Sequence, residues 1–222
     1  MKGSVLVTGG ARRIGRAICE ALAARGWRVL AHSRDQANPL RADFREPDAA
    51  ERLFAAAVAQ APDLCAIVNS AAVFSTAAEL PPDAVAVLRA VNVTAPMRLA
   101  ELLAAHLATR HATGAVVHLL DTRILKAPND LKRFAPYAAS KLALARATVA
   151  QARSLAPTLR VNGVAPGPVL PPIDAANREK GGPILLPRRP TPADVAATVS
   201  FLLEAEAITG QILAVDSGQC LL

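Results

Sequence analysis

The amino-acid sequence predicts an α/β protein in which a doubly wound parallel sheet carries helices on both faces. Short apolar runs alternate with helical stretches along the whole chain of 222 residues, which is typical of βαβ units. The runs VLV, AIVN and AVVHLL are apolar at successive positions, as expected of strands buried on both faces. No linker or internal repeat divides the chain, so we expect residues 1–222 to form a single domain.

Each predicted strand is a run of β-branched or apolar residues, and each predicted helix is an amphipathic or alanine-rich stretch. The strands lie near 4–8, 28–32, 64–69, 115–120, 159–164 and 211–215, and the helices near 13–25, 48–60, 83–108, 136–154 and 192–205. Only about ten residues separate the second strand from Asp43, too few for a full crossover helix. The segment 166–190 is rich in proline and glycine, which favours a binding loop or lid.

Composition narrows the class of protein. Hydrophobic residues make up 52% of the chain, which argues against disorder, and no uncharged apolar run reaches the roughly 18 residues that span a bilayer. Cys19, Cys65 and Cys220 lack metal-ligand spacing, so we expect reduced thiols and no metal. The first residues show no signal-peptide pattern, and we therefore expect a cytoplasmic protein without a membrane partner.

The net charge of +7 raises the question of nucleic-acid binding. The arginines are scattered, however, and aromatic residues make up only 3% of the chain, too few for stacking platforms. An anionic small ligand explains the charge equally well, so we expect a small-molecule substrate and no nucleic-acid partner.

The stretch SVLVTGGARRIGRAI combines a strand, a glycine turn and the start of a helix, in the order that a phosphate-binding loop requires. Arg13 stands where the middle glycine of a dinucleotide-binding loop is expected. We interpret this loop as adapted to a more highly charged ligand. Its predicted cofactor contacts are Thr8, Gly9, Arg12, Arg13, Ile14 and Gly15.

The second strand ends at His32, Ser33 and Arg34, where an NAD enzyme would carry an acidic residue for the ribose 2′-hydroxyl. These three side chains could instead bind a 2′-phosphate through charge-assisted hydrogen bonds, which predicts NADP as the cofactor. The alternative is that they are unremarkable surface and strand-end residues.

Tyr137 and Lys141 lie one helical turn apart and so share a helix face. An ammonium group near a phenol stabilises the phenolate and lowers the pKa of the tyrosine, which makes it a usable proton donor near neutral pH. On spacing alone, the pair could also be an ordinary surface contact.

The motifs TGGARRIG, VNSAA, YAASK, RVNGVAPGP and ITGQILAVDSG together resemble the short-chain dehydrogenase/reductase family over essentially the whole chain. The resemblance implies a Rossmann-like fold, with Tyr137 as proton donor and Lys141 also binding the nicotinamide ribose. It places Asn92 in a proton relay, although Asn92 could equally be a helix-interior residue that bonds to the backbone. It also implies a homotetramer or dimer, and adds these cofactor contacts: Asp43, Phe44, Asn69, Ser70, Ala71, Pro166, Gly167 and Val169.

Three positions resemble the pteridine and dihydromonapterin reductases of that family. Asp121 stands where most members carry a catalytic serine, Arg13 completes the pattern TGxxxR[IL]G, and Phe74 stands where an aromatic ring stacks on the pterin. The resemblance implies NADPH-dependent reduction of a pterin, with Asp121 assisting Tyr137 and with Arg13 close to both cofactor and substrate. Alternatively, Thr122 supplies the usual hydroxyl, Asp121 caps the strand, and Phe74 belongs to the core.

The spacing between Asp121 and Tyr137 is about three residues longer than in the family, which predicts a bulge over residues 126–133. Two other functions stay open. One is a carbonyl reductase of the same family that acts on a ketone, sugar or acyl thioester. The other is a non-catalytic NADP(H)-sensing protein, although such proteins commonly lose the tyrosine or the lysine.

Overall fold

The computed structural model describes residues 2–74, 83–125, 135–170 and 182–222. Within them, six strands form one parallel sheet in the order β2-β1-β3-β4-β5-β6. The strands are β1 (Ser4–Thr8), β2 (Arg28–Ala31), β3 (Leu64–Asn69), β4 (Gly114–Leu119), β5 (Leu159–Pro166) and β6 (Ile212–Val215). The strand order reverses between β1 and β3, and ligands of doubly wound sheets bind beyond the carboxyl ends of the strands at such a point.

The helices lie where the sequence predicts them. They are α1 (Arg13–Ala24), α2 (Ala49–Gln60), α3 (Ala84–Arg89), α4 (Ala95–Ala108), α5 (Ala135–Ser154) and α6 (Pro192–Glu204). The predicted single helix near 83–108 is instead α3 and α4 joined by a π-helical turn, Ala90–Thr94. A π turn accommodates an extra residue within a helix and is frequent at functional sites.

Two apolar layers cover the two faces of the sheet, which confirms the predicted fold class. Val5 and Val7 of β1 pack with residues of α1 and α6, whereas Leu6, between them, packs with residues of α2 and α4. All three side chains are fully buried. Successive side chains of a strand point to opposite faces, so a continuous apolar run is needed to fill both layers.

Residues 32–48 contain no helix, as the short spacing before Asp43 predicts. The chain folds back beside β2 instead. Ser33 forms an isolated parallel bridge with Arg41, and the Ala42 N–H donates to the Ser33 carbonyl at 3.3 Å. This bridge lies where a sheet with one more strand would continue.

The predicted bulge over 126–133 and residues 171–181 of the predicted loop at 166–190 lie outside the described residues. In the part of the chain that is described, no helix has the length and apolar character needed to cross a membrane. The same residues contain no group of three or more histidine, cysteine, aspartate or glutamate side chains placed to hold a metal.

Candidate active site

The loop after β1 has the backbone geometry of a phosphate cradle. Gly9 has φ +67°, a left-handed conformation that favours glycine. Gly15, in the first turn of α1, lies so close to Gly9 that a Cβ would overlap the Gly9 carbonyl oxygen. Arg13 also adopts a positive φ, +53°, at the position where a glycine is usual. The loop therefore keeps the glycine turn and the close helix contact while it replaces the middle glycine by a cation.

The amino end of α1 is suited to an anion. Its N-cap residue Arg12 is extended and makes no side-chain capping bond, and the first turn carries no acidic residue. Both Arg12 and Arg13 are exposed. The partial positive charge of a helix N-terminus and two guanidinium groups thus occupy one end of the loop.

Thr8 joins the carboxyl ends of β1 and β3. Its hydroxyl oxygen accepts hydrogen bonds from the N–H groups of Ser70 and Ala71, each at 3.0 Å. Asn69 is buried and donates from Nδ2 to Nδ1 of His118 at 3.2 Å. The structure therefore places the predicted contacts of β1 and β3 together at the strand-order reversal.

The predicted residues at the end of β2 separate into two groups. Arg34 is exposed and Ser33 is half-buried, so both can face a ligand. His32 is only 2% exposed, and its two ring nitrogens bond to Gly9 and Ala42 within the chain. The predicted direct contact of His32 with a 2′-phosphate is therefore wrong, because its imidazole points inward and is already fully hydrogen-bonded.

Asp43 and Phe44 lie beyond this turn. Hydrogen bonds from the Arg45 side chain lower the pKa of the Asp43 carboxyl to about 2, so the group is ionised at neutral pH. Phe44 is buried and its ring centroid lies 4.9 Å from that of His32. The Phe44 side chain is therefore part of the core beneath the loop, and the predicted contact of Phe44 with the cofactor stays a prediction.

Asp121, Tyr137 and Lys141 meet where β4 ends and α5 begins. The Tyr137 hydroxyl donates to Oδ2 of Asp121 at 3.2 Å. Lys141 Nζ donates to the Leu119 carbonyl at 2.8 Å and lies 5.9 Å from the centroid of the Tyr137 ring. Tyr137 and Lys141 are both buried.

The pKa of Tyr137 differs in direction from the sequence prediction. Burial, together with the nearby Asp121 carboxylate, raises it well above the usual value of a tyrosine. Burial lowers the pKa of Lys141 to about 8. The prediction that the pKa of Tyr137 lies below its usual value is therefore wrong, because burial and the facing Asp121 carboxylate outweigh the positive charges nearby.

Arg123 is a site residue that the sequence interpretation missed. Its guanidinium donates to Oδ2 of Asp121 at 2.8 Å, and its main-chain N–H donates to Oδ1 at 2.9 Å. The positive charge of Arg123 acts to lower the pKa of Tyr137, the same direction as the effect predicted for Lys141. A signal was available, since an N–H two residues after an aspartate commonly bonds back to its carboxylate.

The structure separates Asp121 from Thr122. Thr122 is buried in a 3₁₀ turn, Thr122–Leu125, and its hydroxyl donates to the Pro166 carbonyl at 3.4 Å. Asp121 alone of the two bonds to the Tyr137 hydroxyl. The geometry therefore favours Asp121 over Thr122 as the partner of the tyrosine.

Asn92 lies in the π turn and is fully buried. Its amide accepts from the Val73 N–H at 2.9 Å and donates to the Val73 carbonyl at 3.0 Å and to the Ser140 hydroxyl at 3.1 Å. These bonds hold the chain just before Phe74 against α5. Asn92 therefore bonds to the main chain, as the alternative to a proton relay predicts. Its place in a proton relay stays a prediction.

Phe74 is 50% exposed, so it is not a core residue. Its ring packs edge-to-face on Tyr137 with the centroids 4.8 Å apart, and the Arg123 guanidinium lies 5.6 Å from its centroid. An accessible aromatic surface therefore borders the tyrosine–aspartate pair.

The segment after β5 completes the site. The Gly167 N–H donates to the Val215 carbonyl at 2.9 Å, and Asp216 packs so closely that a Cβ at Gly167 would collide with it. Pro166 and Val169 flank this contact. The predicted contacts of β5 thus lie at the same carboxyl edge of the sheet as the other site residues.

His118 gives a prediction on stability. Burial lowers its pKa from 6.5 to about 4, so the folded protein binds this proton more weakly than the unfolded chain. Falling pH then favours unfolding between pH 6.5 and 4, and we expect a loss of about 2 kcal/mol of unfolding free energy on going from about pH 7.5 to about pH 5. Urea denaturation at each pH measures this loss.

His118→Asn is the matched variant for that measurement. Asparagine keeps an acceptor for Asn69 but does not titrate, so its unfolding free energy should fall less steeply over the same pH range. An equal slope in the two proteins would contradict the assignment to His118.

Comparisons with known proteins agree with this geometry. Residues 9–219 match the family model described as enoyl-(acyl carrier protein) reductase. The dihydromonapterin reductase of Citrobacter koseri is 31% identical, with 97% of this chain and 95% of the relative covered.

Solved structures agree over a similar length. FolM alternative dihydrofolate reductase 1 from Brucella canis, complexed with NADP, superposes with a TM-score of 0.85 at 33% identity, covering 99% of this chain and 95% of that one. A short-chain dehydrogenase from Burkholderia cenocepacia, also in complex with NADP, gives 0.86 at 28% identity, covering 99% and 98%. The chain is therefore an oxidoreductase of the short-chain dehydrogenase/reductase family.

Proposed function

We propose that the chain is an NADPH-dependent reductase that reduces a pterin. The observation that carries the proposal is the hydrogen bond from Tyr137 to Asp121 beside the half-exposed ring of Phe74. A flat heteroaromatic substrate can stack on such a ring while the carboxylate accepts its N–H groups. The names of the Citrobacter and Brucella relatives refer to dihydromonapterin and dihydrofolate, which both contain a pterin ring.

The residues of the loop fit an NADP coenzyme. The turn at Gly9 and the uncapped start of α1 fit a pyrophosphate, and exposed Arg12 and Arg34 with half-buried Ser33 fit a 2′-phosphate. Both solved structures described above, from Brucella canis and Burkholderia cenocepacia, contain NADP. When bound, the coenzyme supplies the hydride. The remaining proposed contacts are Thr8, Arg13, Ile14, Gly15, Asp43, Asn69, Ser70, Ala71, Lys141, Pro166, Gly167 and Val169.

The raised pKa of Tyr137 keeps the phenol protonated at neutral pH, so a proton is in place at its hydroxyl oxygen. Oδ2 of Asp121 accepts this O–H and so fixes its direction, and the Arg123 guanidinium donates to the same oxygen. As the proton leaves, negative charge develops on the phenol oxygen, and the positive charges of Arg123 and Lys141 stabilise it. Arg13 lies in the loop, where it can contact both the coenzyme and the pterin.

Lys141 should set the upper pH limit of activity. Its pKa near 8 means that the ammonium group becomes neutral as the pH rises through that value, and its charge then no longer stabilises the phenolate. We expect kcat to decline above about pH 8 in a profile at saturating substrate. A rate that stays constant to pH 10 would exclude this role.

The direct test is NADPH consumption with dihydrobiopterin and dihydromonapterin, compared with simple ketones at equal concentration. We expect kcat/KM to be higher for the pterins. A rate with pterins no better than with ketones would remove the pterin assignment and leave the family assignment intact.

The second candidate is a carbonyl reductase that acts on a ketone, a sugar or an acyl thioester. The description of the matched family model, enoyl-(acyl carrier protein) reductase, refers to an acyl thioester. In that case the Thr122 hydroxyl would act at the site. Comparison of Asp121→Ala with Thr122→Ala under turnover separates the two, since pterin reduction requires the loss to follow Asp121.

We also propose that the protein is cytoplasmic and forms a homotetramer or dimer. Cys19, Cys65 and Cys220 are in no disulfide bond, as a reducing compartment favours. On α5, the apolar residue Leu142 is exposed, which supports a contact between copies along that helix. Light scattering of the purified protein measures the number of subunits.

A further inference from the structure

We infer that His32 is a positioning residue that holds the phosphate loop to the adenosine side of the site, in its neutral form with the proton on Nε2. The Gly9 N–H donates to Nδ1 at 3.2 Å, and Nε2 lies 3.0 Å from the Ala42 carbonyl oxygen. An amide N–H can only donate and a carbonyl can only accept, so one tautomer alone satisfies both bonds. This inference rests on the proposed coenzyme but not on the pterin.

The main chain of His32 supports the same turn. Its N–H donates to the Val7 carbonyl at 3.0 Å, and its carbonyl accepts from the Gly10 N–H at 2.9 Å. Ring and backbone together therefore make bonds to Gly9 and Gly10, the two residues that form the glycine turn. A change in the His32 ring must reach the conformation of the loop through this direct contact.

The other bond of the ring holds the segment that replaces a crossover helix. Residues 32–48 form no helix, and Ala42 bonds to the two residues that directly follow β2, through its N–H to the Ser33 carbonyl and through its carbonyl to the His32 ring. Phe44, two residues further on, packs against the imidazole. His32 thus connects two walls of the coenzyme site that the sheet alone does not join.

The tautomer also makes the contact sensitive to pH. A proton on Nδ1 would face the Gly9 N–H, so the imidazolium cannot keep that bond. Burial lowers the pKa of His32, the Asp43 carboxylate acts to raise it, and the Arg34 guanidinium acts to lower it. We therefore expect acidification to charge the ring and to loosen the loop.

Two substitutions separate the two hydrogen bonds of the His32 ring. His32→Asn keeps an acceptor near the Nδ1 position for Gly9 and loses the bond to Ala42. His32→Gln can place an amide donor near Ala42 and loses the acceptor for Gly9. Neither side chain titrates, so each also removes the pH-dependent charge.

The experiment measures dissociation constants of NADPH and NADH from pH 5.5 to pH 8 by fluorescence titration, for wild type, both variants and Arg34→Ala. We expect His32→Gln to weaken both coenzymes by a similar factor of about ten, with the NADPH/NADH ratio unchanged. We expect Arg34→Ala to lower that ratio. Between pH 8 and pH 5.5, the affinity of His32→Asn for the coenzymes should fall less than the affinity of the wild type. Protonation of the coenzyme affects both proteins equally, so it cancels in this comparison.

Each contrary result has a separate meaning. A selective loss of NADPH affinity in the His32 variants would make His32 a phosphate ligand and overturn the inference, as would unchanged affinity for both coenzymes. Failure of the wild type to bind either coenzyme would contradict the proposed function instead. In that case, and also if a variant does not fold, the tautomer of His32 in the wild type can be read from nitrogen–proton correlation spectra of its histidines. A proton on Nδ1 of His32 would overturn the inference.

Discussion

Replacing Tyr137 by phenylalanine should lower kcat for pterin reduction by about 10²- to 10⁴-fold, the usual contribution of a positioned proton donor. Phenylalanine keeps the ring that packs on Phe74 and removes only the hydroxyl that bonds to Asp121. The fold and the coenzyme loop are not touched, so the affinity for NADPH should change little. Steady-state kinetics with a dihydropterin, together with a coenzyme titration, measure the two effects.

The matched control is Asp121→Asn, which preserves the shape of the carboxylate and removes its charge. Because that charge raises the pKa of Tyr137, the variant should have a lower tyrosine pKa and a smaller loss of kcat than Tyr137→Phe. Ultraviolet titration of the single tyrosine in the chain follows the pKa directly. Full activity of Tyr137→Phe would return the non-catalytic NADP(H)-sensing interpretation to consideration.

The sheet and its helices could be predicted from the sequence because buried parallel strands require continuous apolar runs. The run VLV fills both layers of the core, with Val5 and Val7 on one face and Leu6 on the other. The lack of a helix before Asp43 also followed from the spacing alone. The π turn at Ala90–Thr94 could not be predicted, because apolar periodicity does not distinguish one extra residue in a helical turn from a regular helix.

The inward orientation of His32 had a signal in the sequence. Side chains two residues apart in a strand share a face, and Leu30 is a core residue of β2, so His32 continues the buried side. The chemistry of an imidazole alone predicts a phosphate ligand, whereas the alternation of the strand turns this side chain inward. β2 ends at Ala31, so both His32 and Arg34 follow the strand, and of the two only Arg34 is exposed.

The pKa of Tyr137 could not be obtained from spacing. The separation from Lys141 correctly predicted a shared helix face, but the balance of charges depends on burial and on which group the ammonium contacts. Arg123 affects the pKa of Tyr137 because the short turn Thr122–Leu125 brings its guanidinium to Asp121. Electrostatics at this site are therefore a property of the folded arrangement.

Gly15→Ala should be the most damaging small substitution in the loop. The new Cβ would overlap the Gly9 carbonyl oxygen, a main-chain atom that no change of rotamer can move. Helix α1 must then move off the glycine turn, which disturbs the packing of fully buried Ile18 and Leu22 against β1. We expect a loss of about 2–3 kcal/mol in unfolding free energy, even though alanine is the better helix former.

The same displacement removes the close approach of the helix N-terminus to the loop, so the affinity for NADPH should fall at least about tenfold. Gly26→Ala separates this steric effect from a conformational one. Gly26 has φ +86°. Among the described residues other than its two chain neighbours, no heavy atom lies within 4 Å of the position that an added Cβ would take. Its substitution therefore strains only the backbone, at a cost of about 1 kcal/mol. Urea denaturation and coenzyme titration should show reduced stability in both variants but reduced NADPH affinity only in Gly15→Ala. If Gly15→Ala and Gly26→Ala bound NADPH with equal affinity, the contact between Gly15 and Gly9 would serve the packing of the helix and not the binding of the coenzyme.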